Sequence, residues 1–226
     1  MYLLSLIKKI LLYLFIAHLV YIIVLKFIGP PITITQISSI IRGNGFDRTH
    51  VSLNKISEQA KLAVIASEDQ LFPDHNGFDI KSIKKAMAYN SKKQGRVRGA
   101  STISQQVAKN VFLWQGRSWI RKGLEVYFTF IIEMIWDKKR ILEVYLNEAE
   151  MGKGVFGIEA ASKKYFKHSA SKLSRTEAAM IAASLNNPIK HTVKPLSRYV
   201  SHKYPWVLRQ MSNLSSDEDI QQIIRD

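Results

Sequence analysis

Residues 10–28 read ILLYLFIAHLVYIIVLKFI, an apolar run interrupted only by His18 and Lys26. At 1.5 Å per residue such a run makes a helix about 28 Å long, enough to cross the hydrocarbon core of a bilayer. Lys8 and Lys9 precede it, and Lys26 lies close enough to the far end for its stem to snorkel. Gly29-Pro30-Pro31 follows, with no small-residue cleavage site before it. The run is therefore predicted to be an uncleaved anchor, with residues 1–9 in the cytoplasm and the remainder outside. His18 reads as a packing residue within it.

The 226 residues leave room for this anchor and one well-cored domain. Lys and Arg number 33 against 18 Asp and Glu, and the net charge of +15 calls for an anionic partner: lipid head groups, phosphates or nucleic acid. Aromatics do not interleave with the basic runs, which argues against nucleic acid. With no cysteine, disulfides, thiolate catalysis and Cys-ligated zinc are excluded. Residues 29–50, with Pro30, Pro31, Gly43 and Gly45, read as a linker holding one short strand near the β-branched run Ile32 to Thr35. From Val51 onward helical periodicity and caps dominate, so residues 51–226 are predicted to form a mostly α domain.

Chemistry concentrates at AVIASEDQLFPDHNGFD, residues 63–79. A helix opening at Ser57 and apolar through Ile65 delivers two adjacent carboxylates, Glu68 and Asp69, to its end, and Pro73, Asn76 and Gly77 then turn the chain. A carboxylate partly withdrawn from water is a stronger base, which suits proton abstraction better than a structural role. Farther on, Thr102, Gln106 and Lys109 are spaced i, i+4 and i+7, so a hydroxyl, an amide and an ammonium share one helix face. Residues 118–136 are apolar nearly all round and are expected to be buried, yet they carry Arg121, Glu125 and Glu133 in an i+4 stripe that also takes in Arg117. A structural Arg121–Glu125 ion pair is the competing reading. Most of the lysines between Lys81 and Arg98 read as a solvated face ending in a basic loop. Ser174 with Glu177 forms a capping box, and residues 190–226 read as packing and tail.

In order along the chain, SEDQLFPDHNGFD, RGASTISQQVAKN, RSWIRKGLE, and KKRILEVYLN with GVFGIEAASKKYF resemble the peptidoglycan glycosyltransferases of glycosyltransferase family 51, over roughly Leu53 to Pro188. The lone anchor makes the chain similar to the monofunctional biosynthetic type. The resemblance implies a lysozyme-like fold with head and jaw lobes, placed on the periplasmic face of the bacterial inner membrane. It implies attack of the GlcNAc 4-hydroxyl of lipid II on the MurNAc anomeric carbon of a growing chain, with inversion and loss of undecaprenyl pyrophosphate. By motif, Glu68 matches the general base and Glu125 the second essential carboxylate. Lys109, Arg117 and Arg121 match cations for the pyrophosphate, with Thr102, Gln106 and Asn110 as polar contacts and Asp69, Phe72 and His75 shaping the first motif. A divalent cation, Mg or Mn, at the pyrophosphate beside Glu125 is the one cofactor implied; Glu68, Asp69, His75 and Asp79 match no compact metal site. Lipid II, the growing glycan, the membrane and the cell-wall synthesis or division proteins are the implied partners.

The chain departs from the family pattern at Ala100, where Gly is commoner, and at Ala149, where Ile is; neither removes a catalytic group. The S-x-x-K matches at Ser52 and Ser82 lack a K-T-G and read as chance. Two other readings remain open: a lysozyme-like hydrolase or lytic transglycosylase, and a non-catalytic membrane-anchored binding protein.

Overall fold

The computed structural model describes residues 2–92, 99–116 and 118–225. They form a mostly helical structure with one small sheet. Helix α1 (Tyr2–Val24) is, among the described residues, the one helix long and apolar enough to cross a membrane. It starts earlier than the run 10–28 and ends sooner, because Leu25 to Ile28 form a turn ahead of Gly29-Pro30, where proline disfavours a helical predecessor. The carbonyls that a helix end leaves without partners are taken up by the domain. Arg140 donates through Nε and Nη2 to Leu25 O at 3.1 and 2.7 Å and through Nη2 to Ile28 O, and Trp136 Nε1 donates to Ile22 O at 3.0 Å.

Residues 29–50 differ from the expected linker. They contain α2 (Ile34–Ile41) and β1 (Asp47–Arg48), and the strand anticipated near Ile32–Thr35 is instead a helix start. Thr33 and Gln36 make a reciprocal capping box, a local signal that outweighs the strand preference of β-branched residues. The polar side of α2 faces inward: Gln36 Nε2 donates to Glu148 Oε2 at 2.7 Å, and Arg48 Nη1 joins the same carboxylate at 2.9 Å.

Helix α3 (Glu58–Glu68), capped by Ser57, runs through the core against α9 (Arg175–Ser184) and α10 (Arg198–Leu214). Ala178, Ala179, Ala182 and Ala183 are buried and permit that close approach, and the Ser174–Glu177 capping box opens α9. Helices α5 (Ile103–Phe112), α6 (Trp119–Ile135) and α7 (Lys138–Glu148) form a second packed group, while α4 (Ile80–Lys92) connects the two. In the sheet, β3 (Val155–Phe156) pairs parallel with β1 and antiparallel with β2 (Glu150–Gly152). Gly157 opens α8 (Ile158–Phe166) at φ +82°, where a Cβ would come within 2.7 Å of Asn147 O. The chain closes with α11 (Glu218–Ile224) on α3 and α7.

Helix α6 corrects a second expectation. It is not buried all round: only Glu125, Thr129 and Ile132 are, while Trp119 and Ile120 are 92% and 77% exposed and Phe130 and Met134 also face outward. An apolar pattern on both sides of a helix requires apolar surroundings on both, but these need not be protein. The α1 helix packs on this flank, where His18 Nε2 and Tyr127 Oη are hydrogen bonded at 2.7 Å.

Candidate active site

The apolar residues of α3 are buried through Ala66, and the helix emerges at Ser67 and Glu68, both partly exposed. Asp69 then leaves helical geometry. Glu68 lines a cavity of about 570 Å³ together with Asp69, Ser82, Lys85, Trp206 and Gln210. Ser67 Oγ donates to Glu68 Oε1 at 3.1 Å, and Gln106 Nε2 to Oε2 at 3.0 Å. The orientation of the Gln106 amide is fixed from behind, because Tyr145 Oη donates to its Oε1 at 3.3 Å. Burial raises the Tyr145 phenol well above its ordinary value, helped by the negative charges of Glu68 and Asp69, so it stays protonated and donating.

Asp69 ties this corner to α5. Its Oδ2 accepts from Ile103 N at 2.9 Å, at the helix N-terminus, where a carboxylate is favoured. His75 Nε2 bonds Oδ1 at 2.9 Å, and His75 Nδ1 accepts from Gly77 N at 3.2 Å, which leaves the proton of the neutral ring on Nε2. Gly77 sits at φ +85° so close to α6 that a Cβ would lie 2.6 Å from Thr129 Cγ2. Thr102 donates to Gly77 O at 2.7 Å and caps α5, so its hydroxyl is committed to the frame. Phe72 is fully buried, with Lys138 Nζ 4.7 Å from its ring centroid. Phe72 and His75 thus shape this corner, His75 through its bond to Asp69, and Thr102, expected as a polar contact, lines the same cavity while its hydroxyl caps α5.

Lys109 lies one turn beyond Gln106 on α5, beside the half-buried Asn110. Among the described residues its ammonium makes neither hydrogen bond nor ion pair. Burial pushes its ammonium below the ordinary lysine value; the carboxylates of Glu125 and Glu68 oppose this, and the charges of Arg121 and Lys122 reinforce it. On α6 the buried Glu125 accepts from Arg121 Nη1 at 2.8 Å and from Lys122 Nζ at 2.5 Å. The ion pair read from i, i+4 spacing is therefore formed, with a second cation that the reading missed. Arg121 Nε is buried with no hydrogen-bond partner among the described residues. Arg117 lies outside the described residues. Glu133 accepts from Ser104 Oγ and, at 2.9 Å, from Lys138 Nζ, which joins α5, α6 and α7.

Both oxygens of Glu125 are engaged by cations, and among the described residues no group of three or more His, Asp or Glu could hold an ion. Lys122, Tyr145, Trp206 and Gln210 are the site residues that sequence reasoning missed. Lys122 stands three residues before Glu125 and was open to detection; α10 carries no local motif that points to α3.

The site thus joins a carboxylate at the end of α3, lining a cavity, to a second carboxylate on α6 that holds two cations and acts electrostatically on Lys109. The chain belongs to the transglycosylase family, whose model matches residues 34–212, so α2 lies within the matched domain. It is 55% identical over 190 residues to the biosynthetic peptidoglycan transglycosylases of Shigella boydii serotype 4 (strain Sb227), Escherichia coli O157:H7 and Escherichia coli (strain K12 / DH10B), covering 83% of this chain and 78% of each relative.

Proposed function

We propose that this chain polymerises lipid II into glycan strands, with Glu68 taking the proton of the attacking GlcNAc 4-hydroxyl and Lys109, Arg121 and Lys122 receiving the departing undecaprenyl pyrophosphate. The observation that carries the reading is the single helix α5, which places Gln106 on Glu68 and, one turn on, sets Lys109 against the Glu125–Arg121 pair. Proton removal and charge stabilisation are thereby held at a fixed separation, as an in-line displacement at the anomeric carbon requires. A pyrophosphate leaves as an anion and needs cations. A glycosidase needs an acid offering a proton to the leaving oxygen, whereas Glu125 has both oxygens on cations.

The domain is held against the outer leaflet of the bacterial cytoplasmic membrane by α1, with residues 1–9 on the cytoplasmic side. Helix α2 supports this placement because it is inside out. Thr35, Gln36 and Ser39 are buried, while Ile34, Ile37, Ile40 and Ile41 face outward, the last 80% exposed. Gln115 Nε2 donates to Thr35 Oγ1 at 2.9 Å, which brings the adjoining, exposed Trp114 beside it, and tryptophan favours the membrane interface. The cations of the site then lie near the level at which a lipid pyrophosphate emerges.

The test is to incubate the full chain with lipid II in liposomes. Release of undecaprenyl pyrophosphate with glycan growth is expected; digestion of finished peptidoglycan without polymerisation would establish the hydrolase reading instead.

A further inference from the structure

The cavity at Glu68 has a wall that none of the assigned groups uses. Trp206 and Gln210 of α10 line it one turn apart, and their neighbours Val207 and Met211 are fully buried, so the helix is anchored by one face and presents the other to the cavity. Gln70 Nε2 donates to Gln210 Oε1 at 3.3 Å and to Ala66 O at 3.1 Å, which ties α10 to the end of the helix that carries Glu68. Trp206 remains 37% exposed. A single surface tryptophan needs no explanation, but this one shares a polar cavity with the base.

We infer that Trp206 and Gln210 form the platform for the acceptor sugar, the indole lying against the apolar C–H face of the GlcNAc ring and the Gln210 carboxamide meeting its polar edge. The inference rests on the reading of Glu68 as the base of glycosyl transfer. A flat aromatic side chain gives contact area at small entropic cost, and a cavity with one apolar wall and a few polar groups matches a pyranose, which has apolar faces and hydroxyls at its rim. Such a platform sets the height and tilt of the ring and so brings the 4-hydroxyl to Glu68. Trp206 is a positioning residue, touching the acceptor without taking part in bond making.

The experiment separates acceptor from donor by using a lipid-linked donor whose terminal 4-hydroxyl is blocked, with lipid II varied as acceptor in a single coupling step. Trp206→Ala is expected to raise the acceptor KM roughly tenfold, the scale of one lost ring contact, while the donor KM stays within about twofold. Trp206→Phe is expected to restore most of the loss, and Gln210→Ala to give a smaller rise in the same constant. A wild-type chain that forms no coupled product would refute the transferase reading itself. A wild-type chain that couples normally, with an unchanged acceptor KM in Trp206→Ala or an equal rise for donor and acceptor, would overturn the platform alone. Melting curves of the variants show whether a general loss of fold accounts for any change.

Discussion

Gln106 Nε2 donates to Glu68 Oε2 at 3.0 Å across the gap between α5 and the end of α3, and Tyr145 holds that amide in the donating orientation. Gln106→Ala is expected to leave the fold intact and to lower kcat by roughly tenfold to a hundredfold, since a base displaced by about 1 Å loses rate on that scale. Tyr145→Phe removes only the group that orients the amide and should cost a few-fold. Steady-state kinetics on lipid II, with circular dichroism as the control for folding, measure both.

Lys109 gives a pH signature whose sign follows from its surroundings. Its folded-state value is depressed, first by burial, so it loses its charge at a pH below that of a free lysine. The plot of kcat/KM should therefore fall on the alkaline side earlier than an ordinary lysine would allow, and Lys109→Arg should move that limb upward. The same depression means that the protonated lysine costs stability, fully below its folded-state value and progressively less as pH rises through it. Lys109→Met should accordingly raise Tm at neutral pH by about 2–4 °C while removing activity, a separation that thermal scans and kinetics resolve together.

Asp69 accepts from both the α5 N-terminus and His75, and its side chain is buried. Asp69→Ala strands those donors and should destabilise the chain by about 1–3 kcal/mol in denaturant unfolding. Because α5 then loses its register against α3, activity should fall further than in His75→Ala, which leaves the Ile103 bond in place.

The Arg48–Glu148 pair fixes the α2 segment to α7 in a buried setting, and burial holds the Glu148 carboxyl above its ordinary value against the opposing charge of Arg48. Arg48→Met alone leaves a buried carboxylate without its cation and should cost about 3–5 kcal/mol, whereas the double variant with Glu148→Leu should recover much of that loss. A double-mutant cycle in urea gives the coupling directly. For Arg48→Met the sign is fixed: losing the cation raises the Glu148 value further, so the deficit should grow as pH rises through the carboxylate range.

Local signals in the sequence carried much of the site and little of its surroundings. Glu68 was legible because an apolar helix run ends at it, and the Arg121–Glu125 pair because helix spacing puts the two side chains together. The capping role of Thr102 was not legible, because the spacing that puts it in line with Gln106 and Lys109 also suits an N-cap, and its partner Gly77 O lies 25 residues back. Helix α2 was missed because the β-branched run outweighed the Thr33–Gln36 capping signal, and α6 because its apolar residues were taken to mean burial in protein, whereas it turns tryptophan, isoleucine and phenylalanine outward. Trp206 gave no signal because its meaning depends on α10 packing beside α3, a contact that no short motif encodes.

The central claim is that Glu68 is the base and that its role is separable from the fold and from donor binding. The most direct measurement is lipid II polymerisation by Glu68→Gln, an isosteric change that keeps a partner for Gln106. A loss of about 10²–10⁴-fold in kcat is expected, with an unchanged melting curve and near-normal donor binding. Wild-type turnover in that variant would contradict the account.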